Sequence, residues 1–126
     1  MPDKIESVVV LGASNHPERY SNQAVKLLLE HGHHVIPVHP ALKQIEELDV
    51  VAKLGDIPKQ EKIDTLTVYV SEGVSSQLSE AISDLKPGRV IFNPGAENPS
   101  LAARLENQGI AVEQACTLVL LRTGQF

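Results

Sequence analysis

The chain has 126 residues, room for one ordinary domain core and too little for two. Its formal net charge is −5, with acids and bases interspersed and no basic stripe, which argues against a nucleic-acid partner. At 42% apolar content with two Tyr, two Phe and no Trp, the core is expected to be built from Val, Ile, Leu and Ala.

Cys116 is the single cysteine, so no internal disulfide can form, which fits a reducing compartment. Met1-Pro2-Asp3-Lys4 is not followed by an apolar stretch of the secretory kind. No apolar run approaches the ~18–20 residues of a membrane helix. The expected location is the cytoplasm, with no membrane partner.

Ser7 to Leu11 is a β-branched run followed at once by Gly12, the pattern of a strand buried on both faces. Residues 12 to 21 are polar, contain Pro17 and read as a loop. Gln23 to Glu30 predicts a helix with Ala24, Val25, Leu27, Leu28 and Leu29 supplying an apolar face and Gly32 as its stop. His34 to Val38 predicts a second strand, closed by Pro40. Residues 41 to 62 read as a loop with one helical turn near Ile45 to Leu48.

Thr65 to Val70 predicts a third strand. Val74 to Leu85 predicts a helix, its stripe formed by Val74, Leu78, Ala81, Ile82 and Leu85. Lys86-Pro87-Gly88 breaks it, and Arg89 to Phe92 is the fourth strand. Asn98-Pro99 supplies an N-cap and a first helical residue for a helix running to about Gln108, stopped by Gly109. Ile110 to Glu113 is a last short strand, and Cys116 to Arg122 a terminal helix.

Strands and helices therefore alternate. Alternation predicts an α/β fold: a single doubly wound domain over residues 1 to 126, with a mostly parallel sheet of about five strands and helices on both faces. Such sheets bind ligands beyond the carboxyl ends of their strands, at the switch in strand order. That selects the loops after Leu11, Val38, Val70 and Phe92.

The first loop, Gly12-Ala13-Ser14-Asn15-His16-Pro17-Glu18-Arg19-Tyr20-Ser21, ends at a helix N-terminus, where free N–H groups and the dipole suit phosphate. Ser14 and Ser21 offer hydroxyls and Arg19 a charge. A second reading stands beside it, in which Gly12 makes a tight turn and the hydroxyls cap the helix. Only the first glycine of G-x-G-x-x-G is present, and Gly-Lys-Ser/Thr is absent. Val38-His39-Pro40 carries no carboxylate for a ribose diol, which disfavours NAD. Asn93-Pro94-Gly95-Ala96-Glu97-Asn98 is either an ordinary turn or a place of close backbone approach to a ligand; Glu97 reads as rim decoration.

His31, His33 and His34 cluster in sequence, but adjacent residues of an extended segment face opposite ways. With no H-x-x-x-H on a helix and no C-x-x-C, they read as a solvated turn rather than a metal site. Cys116 reads as a small core residue, since no motif supplies it with a base.

Val-Val-Val-Leu-Gly-Ala-Ser-Asn at 8–15, then Pro17-Glu18-Arg19-Tyr20-Ser21, and His34-Val-Ile-Pro-Val-His-Pro40 resemble the CoA-binding domain family. These are small stand-alone proteins similar to the N-terminal CoA-binding domain of the succinyl-CoA synthetase α subunit. The resemblance implies a Rossmann-like fold that holds CoA, or an acyl-CoA, across the strand ends. Carried over by position, Gly12, Ala13, Ser14, Arg19 and Ser21 would line the diphosphate. His39 and Pro40 would sit beside the nucleotide, with Lys43 as a phosphate partner. Tyr69 and Val70 would flank the adenine or its ribose, and Asn93, Pro94 and Gly95 would face the pantetheine. The synthetase's phosphorylated histidine belongs to a downstream domain with no counterpart here.

No nucleophile, base and orienting group are legible together, so the expected function is a non-catalytic grip on a nucleotide-type ligand. Two rivals remain: an NAD(P)-dependent or acyl-transferring enzyme using Cys116 or Glu97, and an interaction module with a vestigial site. In the latter, the apolar tail Leu118 to Leu121 covers a sheet edge or joins a homodimer.

Overall fold

A β-branched run is buried on both faces only inside a parallel sheet covered above and below. In the computed structural model, which describes residues 4–126, Val8, Val9 and Val10 of the first strand are each 0% exposed. The elements follow as β1 (Ser7–Leu11), α1 (Tyr20–Glu30), β2 (His34–Val38), β3 (Gln44–Ile45), β4 (Leu48–Asp49), a 3-10 turn (Leu54–Asp56), β5 (Thr65–Val68), α2 (Glu72–Gln77), α3 (Ser79–Leu85), β6 (Arg89–Phe92), α4 (Pro99–Asn107), β7 (Ala111–Gln114) and α5 (Thr117–Arg122).

Five strands form one parallel sheet in the order β2-β1-β5-β6-β7. The chain moves outward from β1 to β2, then crosses back to β5 and continues the other way. The switch point therefore lies between the carboxyl ends of β1 and β5. Alternate side chains of each strand feed two cores. Val9, Leu11, Leu66, Val68, Val90 and Phe92 pack with Ile82 of α3 and Leu101 and Leu105 of α4. Val8, Val10 and Val35 pack with Val25 and Leu28 of α1 and Leu121 of α5. The fold is α/β and Rossmann-like, with helices on both faces.

The amino end of the sheet is tied by Arg89. Its Nε donates to Thr65 Oγ1 at 2.8 Å, while Nη1 and Nη2 lie 3.4 Å from Glu113 and 3.6 Å from Glu6 carboxylates. The guanidinium carbon also stands 4.5 Å over the Phe126 ring. Of the tail, Leu118 and Leu121 are buried, α5 lies beside α1, and Val119 remains exposed. No helix among the described residues is long and apolar enough to cross a membrane.

Four local readings change. α1 begins at Tyr20 rather than Gln23; its first turn holds exposed Tyr20 and the buried polar pair Ser21 and Asn22, which carry no apolar period. The helix expected over 74–85 is two, α2 and α3, broken at Leu78 (φ −99, ψ 9). Asn98 Nδ2 pins α2 by donating to Ser75 Oγ at 2.8 Å and Ser76 Oγ at 3.0 Å, and Val74 ends up 42% exposed, outside its stripe. β5 ends at Val68, although Tyr69 N still donates to Leu11 O at 2.9 Å.

The helical turn expected near Ile45 to Leu48 is instead a β-hairpin. Its two turn residues, Glu46 (φ 50) and Glu47 (φ 65), are both left-handed, where Asn-Gly is the usual signal. Ile45, 1% exposed, anchors the hairpin in the core. The Glu46 carboxylate accepts from Asn22 Nδ2 at 3.4 Å and lies 3.9 Å from Lys26 Nζ.

Glu47→Gly removes left-handed strain at a residue whose side chain makes no hydrogen bond or ion pair among the described residues. It is expected to raise stability by about 0.5–1 kcal/mol in urea unfolding; unchanged or lower stability would show that the turn is not strained.

Candidate functional site

The switch point is built on backbone contacts that tolerate no side chain. Gly12 leaves β1 at φ +86, and a Cβ there would meet Val70 Cγ1 at 2.8 Å and the Tyr69 carbonyl carbon at 3.3 Å. Only glycine meets both demands. The amides of Gly12 and Ala13 donate to the Val38 carbonyl at 3.1 and 3.2 Å. The ends of β1, β2 and β5 thus converge, bringing Gly12, Ala13, Val38, Tyr69 and Val70 together.

Beyond Gly12 the loop is held from within. Ser14 Oγ accepts from His16 N at 3.0 Å, and the Ser14 carbonyl accepts from Asn22 Nδ2 at 2.8 Å. Ser14 therefore does not cap α1. The N-cap is Arg19 (φ −76, ψ 140), whose side chain makes no capping bond. Asn98 Oδ1 caps α4 through Leu101 N at 3.1 Å and Ser71 Oγ caps α2 through Val74 N at 3.4 Å, whereas α3 and α5 share with α1 the lack of a side-chain cap. Arg19 is exposed, and no ion pair is recorded for it among the described residues. Ser21 is buried, which limits its hydroxyl as a ligand contact.

After β2, His39 N donates to Val51 O at 3.1 Å. The His39 ring closes a turn, its Nδ1 accepting from Ala41 N at 3.0 Å and Leu42 N at 3.1 Å. Pro40 and Lys43 are exposed, and the Lys43 carbonyl accepts from Val50 N at 2.9 Å at the base of the hairpin.

Asn93 occupies a different kind of place. It is 1% exposed, and both its amide hydrogens are used, on Thr67 Oγ1 at 2.7 Å and Val68 O at 2.9 Å. Its Oδ1 accepts from Thr117 N at 2.9 Å, and the Thr67 and Thr117 hydroxyls share a 2.8 Å bond. Asn93 is thus a buried tie between β5, β6 and α5. Pro94 and Gly95 (φ +89) are the exposed part of that loop, and Gly95 N donates to Glu97 Oε1 at 3.0 Å.

Tyr69 stands beside this network. Burial pushes its phenol up to about 12; the Thr117 and Thr67 hydroxyls temper the rise and the neighbouring Cys116 thiol adds to it. Those hydroxyls bond each other, and Tyr69 Oη is buried with no hydrogen-bond partner among the described residues. Cys116 is a half-buried free thiol at the N-cap of α5.

His33 departs from the solvated-turn reading. It is 8% exposed, accepts from Glu6 N at 3.0 Å through Nδ1, and lies 5.2 Å from the Phe126 ring centre. No three His, Cys, Asp or Glu side chains among the described residues converge as a metal site would. An open groove of about 800 Å³ lies apart from the switch point, between α3 and residues 54–63, with Lys59, Lys62 and Lys86 along it. Its volume reflects a wide mouth, and it lacks the converging strand ends that define a ligand edge in this fold.

Sequence reasoning missed Asn22, which is 0% exposed and fastens the loop to the helix while its Oδ1 stays unpartnered among the described residues. An amide at a position the helical stripe would bury is the signal that was available.

The strand order, the glycine junction and the loop-to-helix passage define a doubly wound α/β domain, the class of fold in which ligands bind beyond the carboxyl ends of the strands. The profile of the CoA binding domain family matches residues 6–122, and the chain belongs to that family. Among solved structures, an uncharacterized protein is 35% identical over 98% of this chain and 100% of its own, with a TM-score of 0.91. A Thermus thermophilus protein is 28% identical over 97% of this chain and 91% of its own, TM-score 0.86. The dinucleotide-forming acetyl-coenzyme A synthetase 1 of Ca. Korarchaeum cryptofilum shares the fold at 19% identity, over 85% of this chain and 25% of that one, TM-score 0.73.

The raised phenol has a pH consequence. Above pH 10 the unfolded tyrosine ionises while folded Tyr69 keeps its proton, so its contribution is lost between about pH 10 and 12. Tyr69→Phe should remove that part of the alkaline decline in unfolding experiments. The wild-type minus variant phenolate absorbance should rise near pH 12; a difference titration centred at 10 counts against the buried phenol.

Proposed function

We propose that the chain binds CoA or an acyl-CoA at the carboxyl edge of its sheet, as one non-catalytic binding domain spanning residues 1–126. The observation that carries the reading is the α1 N-terminus, left without a side-chain cap behind the Gly12 loop, in a chain of the CoA binding domain family. Free amides and the helix dipole there suit a diphosphate. Gly12 and Ala13 shape the cradle, Ser14 borders it, and Arg19 is the cation for the phosphates, with Ser21 behind them. His39, Pro40 and Lys43 border the nucleotide. Tyr69 and Val70 flank the adenine or its ribose through backbone, and Pro94 and Gly95 face the pantetheine with Asn93 as their scaffold. A grip without chemistry is favoured because two of the polar side chains at this edge are committed, Asn93 to three hydrogen bonds and Glu97 to the Gly95 amide.

Isothermal titration with CoA, ADP and NAD tests this. Binding of CoA ahead of NAD is expected, and no heat from CoA at high micromolar concentration would sink it. Arg19→Ala should weaken CoA about 10–100-fold, the range for losing one charge-assisted contact, without lowering Tm. Equal affinity would remove Arg19 from the site.

A further inference from the structure

Resting on the CoA reading above, we propose that His39 is a specificity-determining residue that selects a phosphate on the ligand's ribose, through an Nε2–H fixed in place by the turn beneath it. The amides of Ala41 and Leu42 both point at His39 Nδ1, from 3.0 and 3.1 Å. A nitrogen accepting two N–H groups carries no hydrogen of its own, so in the neutral ring the hydrogen sits on Nε2. No partner for Nε2 is recorded among the described residues, and the side chain is half-buried rather than free to swing. The imidazole is thus a pre-oriented single donor. It is rooted one residue past Val38, whose carbonyl Gly12 and Ala13 grip.

Its place decides what it meets. In doubly wound folds the ribose of a bound nucleotide lies at the end of the second strand. There a carboxylate matches the hydrogens of a free diol, and a cationic or donating group matches a ribose phosphate. Phosphate oxygens on a ribose ester only accept hydrogen bonds at their ionised positions. His39 offers a donor with no acceptor left over, Pro40 has no amide hydrogen to compete, and exposed Lys43 follows at the base of the hairpin. The end of β2 is therefore chemically complementary to the 3′-phosphate of CoA, whereas an unmodified ribose diol would accept from Nε2–H but find on His39 no acceptor for its own hydrogens.

The test is calorimetric titration of wild type and His39→Asn with CoA and with 3′-dephospho-CoA. In the variant the Asn oxygen takes over the two amide bonds, so the turn persists, but no donor reaches as far as Nε2. Wild type is expected to prefer CoA by about tenfold or more, and His39→Asn by about threefold or less. The change should come mainly from weaker CoA binding, with a smaller loss for dephospho-CoA and no change in Tm. Independently of any variant, long-range proton–nitrogen NMR of wild type at pH 8 should report His39 as the Nε2–H tautomer.

An Nδ1–H tautomer, or a CoA preference that survives His39→Asn, overturns the proposal. Wild-type binding of both ligands with equal affinity also overturns it and leaves the CoA reading standing. Wild type binding neither ligand overturns both.

Discussion

Everything at the ligand edge depends on one junction. The Val38 carbonyl accepts two amides from the chain that has just left β1, and that chain reaches it because Gly12 has no Cβ to strike Val70. These contacts fix the path of the first loop before any side chain takes part. They also set the direction in which the loop leaves β1 for α1, a helix whose N-cap side chain makes no capping bond. A side chain at Gly12 would carry both penalties together, left-handed backbone and steric overlap.

Behind the junction lies a second, buried layer of polar side chains. Asn93, Thr67 and Thr117 form a closed hydrogen-bonded set at the buried ends of β5, β6 and α5. Such networks are stable in an apolar interior only when nearly complete, because each unsatisfied polar group carries its full desolvation cost. Tyr69 Oη is the unsatisfied member of this neighbourhood. Asn22 does similar work on the other side, binding the Ser14 carbonyl to the first turn of α1. The loop thus owes its shape to buried amides, while the exposed Arg19, Pro40, Lys43 and Pro94 hang on a frame that does not depend on them.

Periodicity made the sheet legible. β1, β2 and β6 are short apolar runs closed by Gly, Pro or Asn, and the Asn98-Pro99 cap marks α4 to the residue. Signals failed where tertiary contacts overrode local preference. Glu46 and Glu47 adopt left-handed backbone because Ile45 is buried and because Lys26 and Asn22 hold Glu46, none of which a local reading can see. The α2–α3 break follows from Asn98 gripping two serines from across the fold. The special geometry of Gly12 was legible in the edge itself. The commitment of Asn93 to scaffolding was not, because its partners come from β5 and α5, distant in sequence.

The Arg89 cluster gives the molecule a polarity of purpose. A single guanidinium ties Glu6, Thr65, Glu113 and Phe126 at the amino end of the sheet. The strands are thereby clamped at the end that faces away from the ligand edge. At the opposite rim the strands are fastened again, by the Asn93 network and by the Val38 carbonyl that takes the amides of Gly12 and Ala13. The same strands are thus bracketed from both ends, by one charged side chain at the start of the sheet and by neutral amides and hydroxyls at its finish.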